Sequence, residues 1–300
     1  MVRMYQLILL PQTEMNTPES REKYGIESKF RINPRSFGQY AILGTNTVAI
    51  EIEEICVTTN TMSFEDYLEC RELDLTVEIV HNSGMFLELY GLSHWLNTSW
   101  FDFILGYHEK RRLYSKDIAK LYDDFNSDNR KGLWNSIDDL KQDVSRKIDC
   151  FLGNKEGTNE ISKSKAKALS CLLNELHEAL YSEMAFMMIA KGYTGDIFST
   201  YLKELKKFSI LRKKDFIKTS LSIKVKSHFD FNALQERGFT VDPRGYYRKD
   251  GIDYRMFHTD EQVRMMDSYI TQYGNTVDGL GRILMRAPVK SLFRSYCSEQ

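Results

Sequence analysis

The order of apolar and polar positions divides the chain into a short N-terminal region with strand patterns and a long helical remainder. Residues 5–10 form a compact apolar run ended by Pro11, a pattern typical of a strand buried on both faces. Residues 48–58 alternate apolar and acidic side chains and then become apolar, which predicts a strand that begins half exposed and ends buried. Short strands are also predicted at 30–32 and 37–43.

Capping signals predict where several helices begin and end. Thr17 precedes Pro18, the arrangement of an N-cap followed by proline at the first helical position, and Gly25 is suited to end that helix. Ser63 is followed three residues later by Asp66, a capping box that predicts a second helix start. From there the apolar periodicity predicts helices at 85–96, 100–112, 116–125, 133–151, 163–191 and 197–208.

The last hundred residues combine strand and helix signals. Asp250-Gly251 lies between two stretches rich in aromatic and apolar residues, which predicts a hairpin near 246–257. Thr259 and Thr276 each precede a helical pattern. The polar run 153–159 is rich in turn formers and predicts a linker or subdomain edge.

Composition narrows the class of protein. The 300 residues carry a formal net charge of -1, so no nucleic-acid partner is expected. No apolar run reaches the roughly eighteen residues of a membrane span, and Gln6 interrupts the apolar start, so a signal peptide is not expected. The five cysteines are scattered and odd in number, which favours free thiols in a reducing cytoplasm.

Most candidate chemistry has a more common structural explanation. Nine basic residues lie between Lys203 and Lys226; a solvated helix end and loop is the commoner origin, and an anionic ligand or partner is the alternative. His177-Glu178 lacks the second histidine of a zinc protease motif, so His177 is expected on an ordinary amphipathic helix. The apolar patch at 184–189 is expected to be helix core, with a cofactor or product tunnel as the rarer alternative.

One stretch resembles a known family. The run Tyr5-Gln6-Leu7-Ile8-Leu9-Leu10-Pro11-Gln12-Thr13-Glu14-Met15-Asn16-Thr17 resembles a late barrel strand and its loop in radical S-adenosylmethionine (SAM) enzymes, particularly those with an N-terminal cobalamin-binding domain. The family usually has glycine where this chain has Gln12. The resemblance covers roughly the first eighty residues and continues through Arg21, Tyr24-Gly25, Phe30-Arg31, Pro34-Arg35, Phe37-Gly38, Glu53-Glu54 and Thr59–Tyr67.

The resemblance implies chemistry that this chain lacks the residues to perform alone. Family members hold a 4Fe–4S cluster on a Cys-x-x-x-Cys-x-x-Cys loop and cleave SAM, and some also use cobalamin. None of the five cysteines matches that loop, and the glycine-rich SAM motif and the Asp-x-His-x-x-Gly cobalamin motif are absent. No metal ligands are therefore expected here, the catalytic residues are not identified, and the cofactors are expected on a missing N-terminal half or upstream-encoded cluster domain.

The resemblance also implies a fold and a site. We expect an α/β to mixed α+β chain: the last strands of a partial TIM-like barrel in 1–62, a helical region in 63–153, and a helical C-terminal domain with a late hairpin in 160–300. Leu9, Leu10 and Pro11 are expected to wall the SAM pocket. Thr13, Glu14 and Arg35 are expected at its rim as substrate contacts, with a loop ion pair as the equal alternative for Glu14 and Arg35.

Two functions follow as hypotheses. The favoured one is the C-terminal fragment of a radical SAM enzyme, not competent alone. The alternative is a non-catalytic binding or accessory protein derived from such an enzyme. Because an isolated fragment exposes apolar barrel edge, we expect it to aggregate or to bind its missing half.

Overall fold

The chain is a mixed α+β protein in which helices predominate and both sheets are antiparallel. A computed structural model describes residues 2–42, 44–152 and 159–299. The strands are β1 Glu27–Ile42, β2 Thr45–Thr58, β3 Ile223–Phe229, β4 Tyr247–Phe257 and β5 Ser295–Glu299. The α-helices are α1 Pro18–Tyr24, α2 Phe64–Val77, α3 Leu87–Trp95, α4 Trp100–Tyr114, α5 Lys116–Lys131, α6 Ile137–Arg146, α7 Ile148–Leu152, α8 Glu160–Cys171, α9 Leu173–Ala190, α10 Asp196–Lys213, α11 Phe231–Glu236, α12 Asp260–Tyr273, α13 Val277–Arg286 and α14 Val289–Leu292.

The described residues form two compact units that are not contiguous in sequence. The hairpin unit comprises Val2–Leu75 and Tyr122–Lys163, and the large unit comprises Thr76–Leu121 and residues 164–299. The boundaries between the units fall within α2, α5 and α8. The division of the chain into the consecutive domains 1–62, 63–153 and 160–300 stays a prediction. Within the described residues, no helix has both the length and the apolar character required to cross a membrane.

The hairpin unit is built on the antiparallel pair β1–β2. The register runs from Glu27 opposite Thr58 to Ile42 opposite Thr45, and it shifts between Ile32 and Phe37. Pro34 lies in that interval, and because proline has no backbone N–H it cannot donate to the ladder. Cores on this sheet contain Ile32 with Leu140, Val144 and Phe151, and Ile55 with Val57, Tyr67 and Leu68. The predicted change from half-exposed to buried along 48–58 is confirmed.

The N-terminal apolar run is not a buried strand, so that prediction was wrong. It touches β2 through a single antiparallel bridge, Ile8 to Ile55. Leu9 is 2% exposed, whereas Tyr5 is 81% and Leu10 is 57% exposed. The run lies at the edge of the sheet with one neighbour, so most of its side chains are not covered. The described residues form no barrel, and the TIM-like barrel stays a proposal.

The large unit packs helices against a three-stranded sheet in the order β3–β4–β5. Helix α9 packs on α4 and α10, and α10 packs on β3. The late antiparallel strand structure is confirmed, but residues 247–257 are one strand paired with β3 and β5. Ser227 pairs with Ile252, and Phe229 pairs with Tyr247. Residues 248–251 of β4 therefore lie opposite the single residue His228 of β3 and form a bulge. Gly251 has φ 73° in this bulge, a conformation that favours glycine.

Candidate functional site

The predicted wall residues Leu9, Leu10 and Pro11 do not share one environment. Leu9 lies in a small core with Ile26 and Cys56. Leu10 and Pro11 are exposed. Of the three, only Leu9 therefore contributes to a packed core, and a common role in holding SAM stays a prediction.

The predicted rim residues lie in the turn that follows. Thr13 and Glu14 are exposed, and the Thr13 hydroxyl donates to the Leu10 carbonyl at 2.8 Å. Glu14 begins the short 3-10 helix Glu14–Asn16. The backbone of Arg35 belongs to β1, and its side chain lies outside the described part of the chain. The predicted substrate contacts and the alternative ion pair between Glu14 and Arg35 therefore stay predictions.

Gln12 occupies a backbone conformation that glycine adopts most easily. Its φ is 64°, in the left-handed region where a side chain is strained. This is the position at which the radical SAM family usually has glycine. The left-handed turn thus supplies a physical reason for glycine at this point of the resembling stretch.

Polar residues of the same stretch form a hydrogen-bonded network around α1 and β2. The Arg21 guanidinium donates to Glu54 Oε1 at 2.5 Å and to Asn16 Oδ1 at 2.6 Å. Asn16 Nδ2 in turn donates to the carbonyls of Leu9 and Leu10. The network therefore fixes the turn after Leu10 to the sheet. Arg21 and Glu54 belong to the resembling stretch, but their residue types and spacing alone indicate no role for them.

A second network anchors the start of the chain to the hairpin. Gln6 Oε1 accepts from the Tyr67 hydroxyl at 2.7 Å and from Arg31 at 3.0 Å. Arg31 also pairs with Glu53 at 2.7 Å. Because these groups are partly buried, the hydrogen bonds hold the segment before Leu7 against β1 and β2.

The cysteines do not fit an iron–sulfur cluster. Cys56 is buried, its thiol donates to the Thr58 carbonyl at 3.3 Å, and burial raises the pKa of that thiol. The other cysteines lie on separate helices or on β5, at Cys70, Cys150, Cys171 and Cys297. Within the described residues, no three His, Cys, Asp or Glu side chains are placed to hold one metal ion.

A buried polar cluster lies between α3, α9 and α10 of the large unit. Lys213 Nζ lies 2.6 Å from Glu88 Oε1 and 2.5 Å from Ser209 Oγ. Tyr181 donates to the same Glu88 oxygen at 3.1 Å. His177 Nδ1 donates to the Leu173 carbonyl at 2.7 Å, so Nε2 of the neutral ring carries no proton and lies 2.9 Å from Ser209 Oγ. The single proton of the Ser209 hydroxyl is donated to Glu88 Oε1 at 2.5 Å.

The charges of this cluster follow from its burial and its partners. Burial alone raises the pKa of Glu88, but the Lys213 ammonium and hydrogen bonds from Lys213 and Ser209 lower it to about 2. Burial, with the Lys213 charge adding to it, lowers the pKa of His177 to about 3. At neutral pH the cluster therefore contains a charged Glu88 and a neutral imidazole.

A serine beside histidine and lysine has the donors and acceptors that activate a nucleophile. Ser209 and Lys213 are each 3% exposed and His177 is 0% exposed, so substrate does not reach them. The cluster therefore joins three helices rather than forming an open catalytic site. His177 lies on a helix, α9, as expected, and it belongs to the buried face of that helix, which packs against α10.

A half-buried histidine, His228, is held by a carboxylate on the other side of α10. Glu204 Oε1 accepts from His228 Nδ1 at 2.8 Å, and Oε2 accepts from Ser227 Oγ at 2.6 Å and from the His228 backbone N–H at 2.7 Å. Burial raises the pKa of Glu204, but these hydrogen bonds lower it below its ordinary value. The imidazole stacks on Tyr247. Glu204 thereby satisfies the backbone N–H that the β4 bulge leaves without a strand partner.

Comparison with known proteins assigns no family to the chain. No protein-family model matches it, and no curated protein matches it at a significant level.

Proposed function

We propose that this chain is the C-terminal portion of a radical SAM enzyme of the type with an N-terminal cobalamin-binding domain. The observation that carries the proposal is the turn after Leu10. There Gln12 has φ 64°, a conformation that favours glycine, and glycine is the residue that the family usually has at this position. The polar network of Asn16, Arg21 and Glu54 around that turn supports the proposal further.

In this proposal the chain works with a cluster-bearing half. Resemblance to the family implies that the partner holds the 4Fe–4S cluster, SAM and, in cobalamin-dependent members, the corrin. Residues 5–10 would belong to the end of a TIM-like barrel completed by the partner. Thr13 and Glu14, exposed beside the turn, are the groups of this chain that would reach a substrate.

The alternative is a non-catalytic binding or accessory protein derived from such an enzyme. The exposed apolar side chains of Tyr5 and Leu10 favour it, because a chain specialised for binding presents apolar surface to a partner. Both functions need a partner, and they differ in whether that partner carries the cysteine motif.

The first experiment is to sequence the DNA upstream of the Met1 codon and translate every frame. A reading frame with Cys-x-x-x-Cys-x-x-Cys is the expected result. Unrelated sequence with its own promoter would contradict the enzyme proposal and favour the accessory protein.

A biochemical test follows if the motif is found. The joined protein is reconstituted anaerobically with iron and sulfide, and formation of 5′-deoxyadenosine from SAM is measured. We expect Glu14→Gln to lower kcat/KM for the substrate about tenfold, the effect of one lost charged contact. The matched control Glu19→Gln, an exposed acid on α1, should leave it unchanged. If kcat/KM were the same for Glu14→Gln and Glu19→Gln, Glu14 would not be a substrate contact.

A further inference from the structure

The segment of residues 5–10 presents an open strand edge. The Leu9 N–H donates to the Glu54 carbonyl at 2.8 Å, and the Leu7 carbonyl accepts from the Cys56 N–H at 2.9 Å. Because backbone groups of successive strand residues point to opposite sides, the N–H and C=O of Ile8 point away from β2. The described residues give the Ile8 backbone no hydrogen-bond partner.

Apolar side chains accompany this edge. Tyr5, Leu7, Ile8 and Leu10 are all exposed, Ile8 by 37%. An exposed, apolar edge is the usual template for addition of another strand, and natural proteins block such edges with charges, proline or bulges. Here Pro11 stops the edge at one end, and no charged side chain interrupts residues 4–10.

We propose that a second copy of this chain pairs with this edge, antiparallel about a two-fold axis at Ile8. In that register Ile8 lies opposite Ile8, and the two residues exchange both backbone hydrogen bonds. Leu10 lies opposite Gln6, so the Leu10 N–H reaches the Gln6 carbonyl of the other copy. The Leu10 carbonyl already accepts from Thr13 and Asn16, which limits the ladder to four bonds. The proposed function gives the same edge to a strand of the cluster-bearing half, so a second copy and that half would compete for it, and the dimer is expected of this chain by itself.

The area of the edge fits a weak dimer. The exposed parts of the four apolar side chains amount to on the order of 400 Å² per copy, or 800 Å² for the pair, which is below the roughly 1,000 Å² of a stable interface and in the range of weak, transient contacts. The dimer is therefore expected only at high protein concentration.

The test is sedimentation equilibrium of the full chain over a range of concentrations. The weight-average mass should rise from one copy towards two copies as the concentration increases. Ile8→Pro removes the outward N–H while the bonds of Leu7 and Leu9 to β2 remain, so this variant should stay monomeric. Tyr5→Lys, at the most exposed position of the edge, should weaken association about tenfold without affecting the fold.

The matched control is Leu113→Lys, because Leu113 is equally exposed but lies at the end of α4. It should associate like the wild type. Hydrogen exchange should show slower exchange of the Ile8 and Leu10 amides at high concentration than at low concentration. A monomer at all concentrations, or a dimer that persists in Tyr5→Lys with no change in these two amides, overturns the proposal.

Discussion

Lys213 Nζ lies 2.6 Å from Glu88 Oε1, and these two residues, 125 positions apart in the chain, are both buried. The pair joins α10 to α3 in the large unit. Removing one partner of a buried ion pair leaves the other charge without compensation.

We therefore expect Lys213→Met to lower the free energy of unfolding by about 3–5 kcal/mol. The double variant Glu88→Leu with Lys213→Met should recover much of that loss, because neither charge is left buried. Urea unfolding followed by circular dichroism measures both. The control is Lys206→Met on the same helix, which breaks a partly exposed pair with Glu178 and should cost at most about 1 kcal/mol. Similar losses for Lys213→Met and Lys206→Met would contradict the importance of the buried pair.

His177 makes stability depend on pH. Its pKa is lowered to about 3 in the folded chain, below the ordinary value of 6.5, because burial disfavours the charged ring. Between pH 6.5 and 3 the folded chain therefore binds fewer protons than the unfolded chain. Above pH 6.5 His177 does not lower the free energy of unfolding, and below it that free energy falls as the pH falls towards 3.

Unfolding in urea at pH 7.5, 6 and 5 should show stability falling by up to about 1.4 kcal/mol per pH unit below 6.5 from this residue. His177→Gln cannot titrate and should flatten that slope, although Gln lowers stability at pH 7.5. A variant with the wild-type slope would assign the pH dependence to other groups.

Glu160 in the hairpin unit should act in the opposite direction. Burial raises its pKa to about 7, and Asp128 adds to the rise against the opposing charge of Lys163. Between pH 4.5 and 7 the folded chain therefore binds one more proton at Glu160 than the unfolded chain does. Glu160 does not lower the free energy of unfolding below pH 4.5, and that free energy falls as the pH rises through 7. Glu160→Gln should therefore stabilise the chain at pH 8 by up to about 3 kcal/mol and much less at pH 4.5.

The comparison uses thermal unfolding at both pH values. Glu22→Gln, an exposed carboxyl on α1, is the control and should change the midpoint little at either pH. A Glu160→Gln variant that is equally affected at pH 4.5 and pH 8 would rule out proton uptake at this carboxyl.

Gln12→Gly should stabilise the chain by about 0.5–1 kcal/mol. The left-handed conformation strains a side chain by about 1–2 kcal/mol, and the greater freedom of glycine in the unfolded chain offsets part of that gain. Gln39→Gly in the extended strand β1 is the control and should destabilise the chain. If both changes destabilise, the turn at Gln12 does not require a left-handed residue.

Gly91→Ala should destabilise the large unit. An added Cβ on this α3 residue would lie 1.9 Å from the Gly238 carbonyl oxygen, so backbone must move. The expected loss of roughly 1–3 kcal/mol exceeds the helix preference of alanine. Gly245→Ala, where nothing lies within 4 Å, is the control and should be nearly neutral in thermal unfolding. A Gly91→Ala midpoint equal to that of the control would show that the loop after α11 can yield.

Local signals in the sequence predicted helix starts correctly. Thr17, Thr259 and Thr276 each accept a hydrogen bond from the backbone N–H three residues later, and α12 has a complete capping box. Ser63 likewise accepts from the N–H of Asp66. Caps are visible because the residues that make them lie within one helical turn.

Long-range pairing was not predictable in the same way. The apolar composition of residues 5–10 indicates a preference for burial, but it does not indicate how many strands lie beside them. The ion pair of Glu88 with Lys213 and the packing of His177 against Ser209 depend on which faces of α3, α9 and α10 meet. A lysine within a basic run therefore gave no indication that it was buried. The role of residues 248–251 as a bulge depended on their pairing with β3 rather than with one another.

Helix α10 contributes side chains to two hydrogen-bonded clusters. The number of residues between those side chains therefore matters for both clusters as much as the residue types do. Glu204 holds His228, and nine residues later Lys213 holds Glu88. A deletion of one residue between them would rotate everything that follows by about 100° and shift it by about 1.5 Å. Ser209 and Lys213 would then turn away from Glu88 while Glu204 kept its partner. In related sequences this nine-residue interval should keep its length, and substitutions are expected at exposed positions such as Lys207 rather than at Ser209.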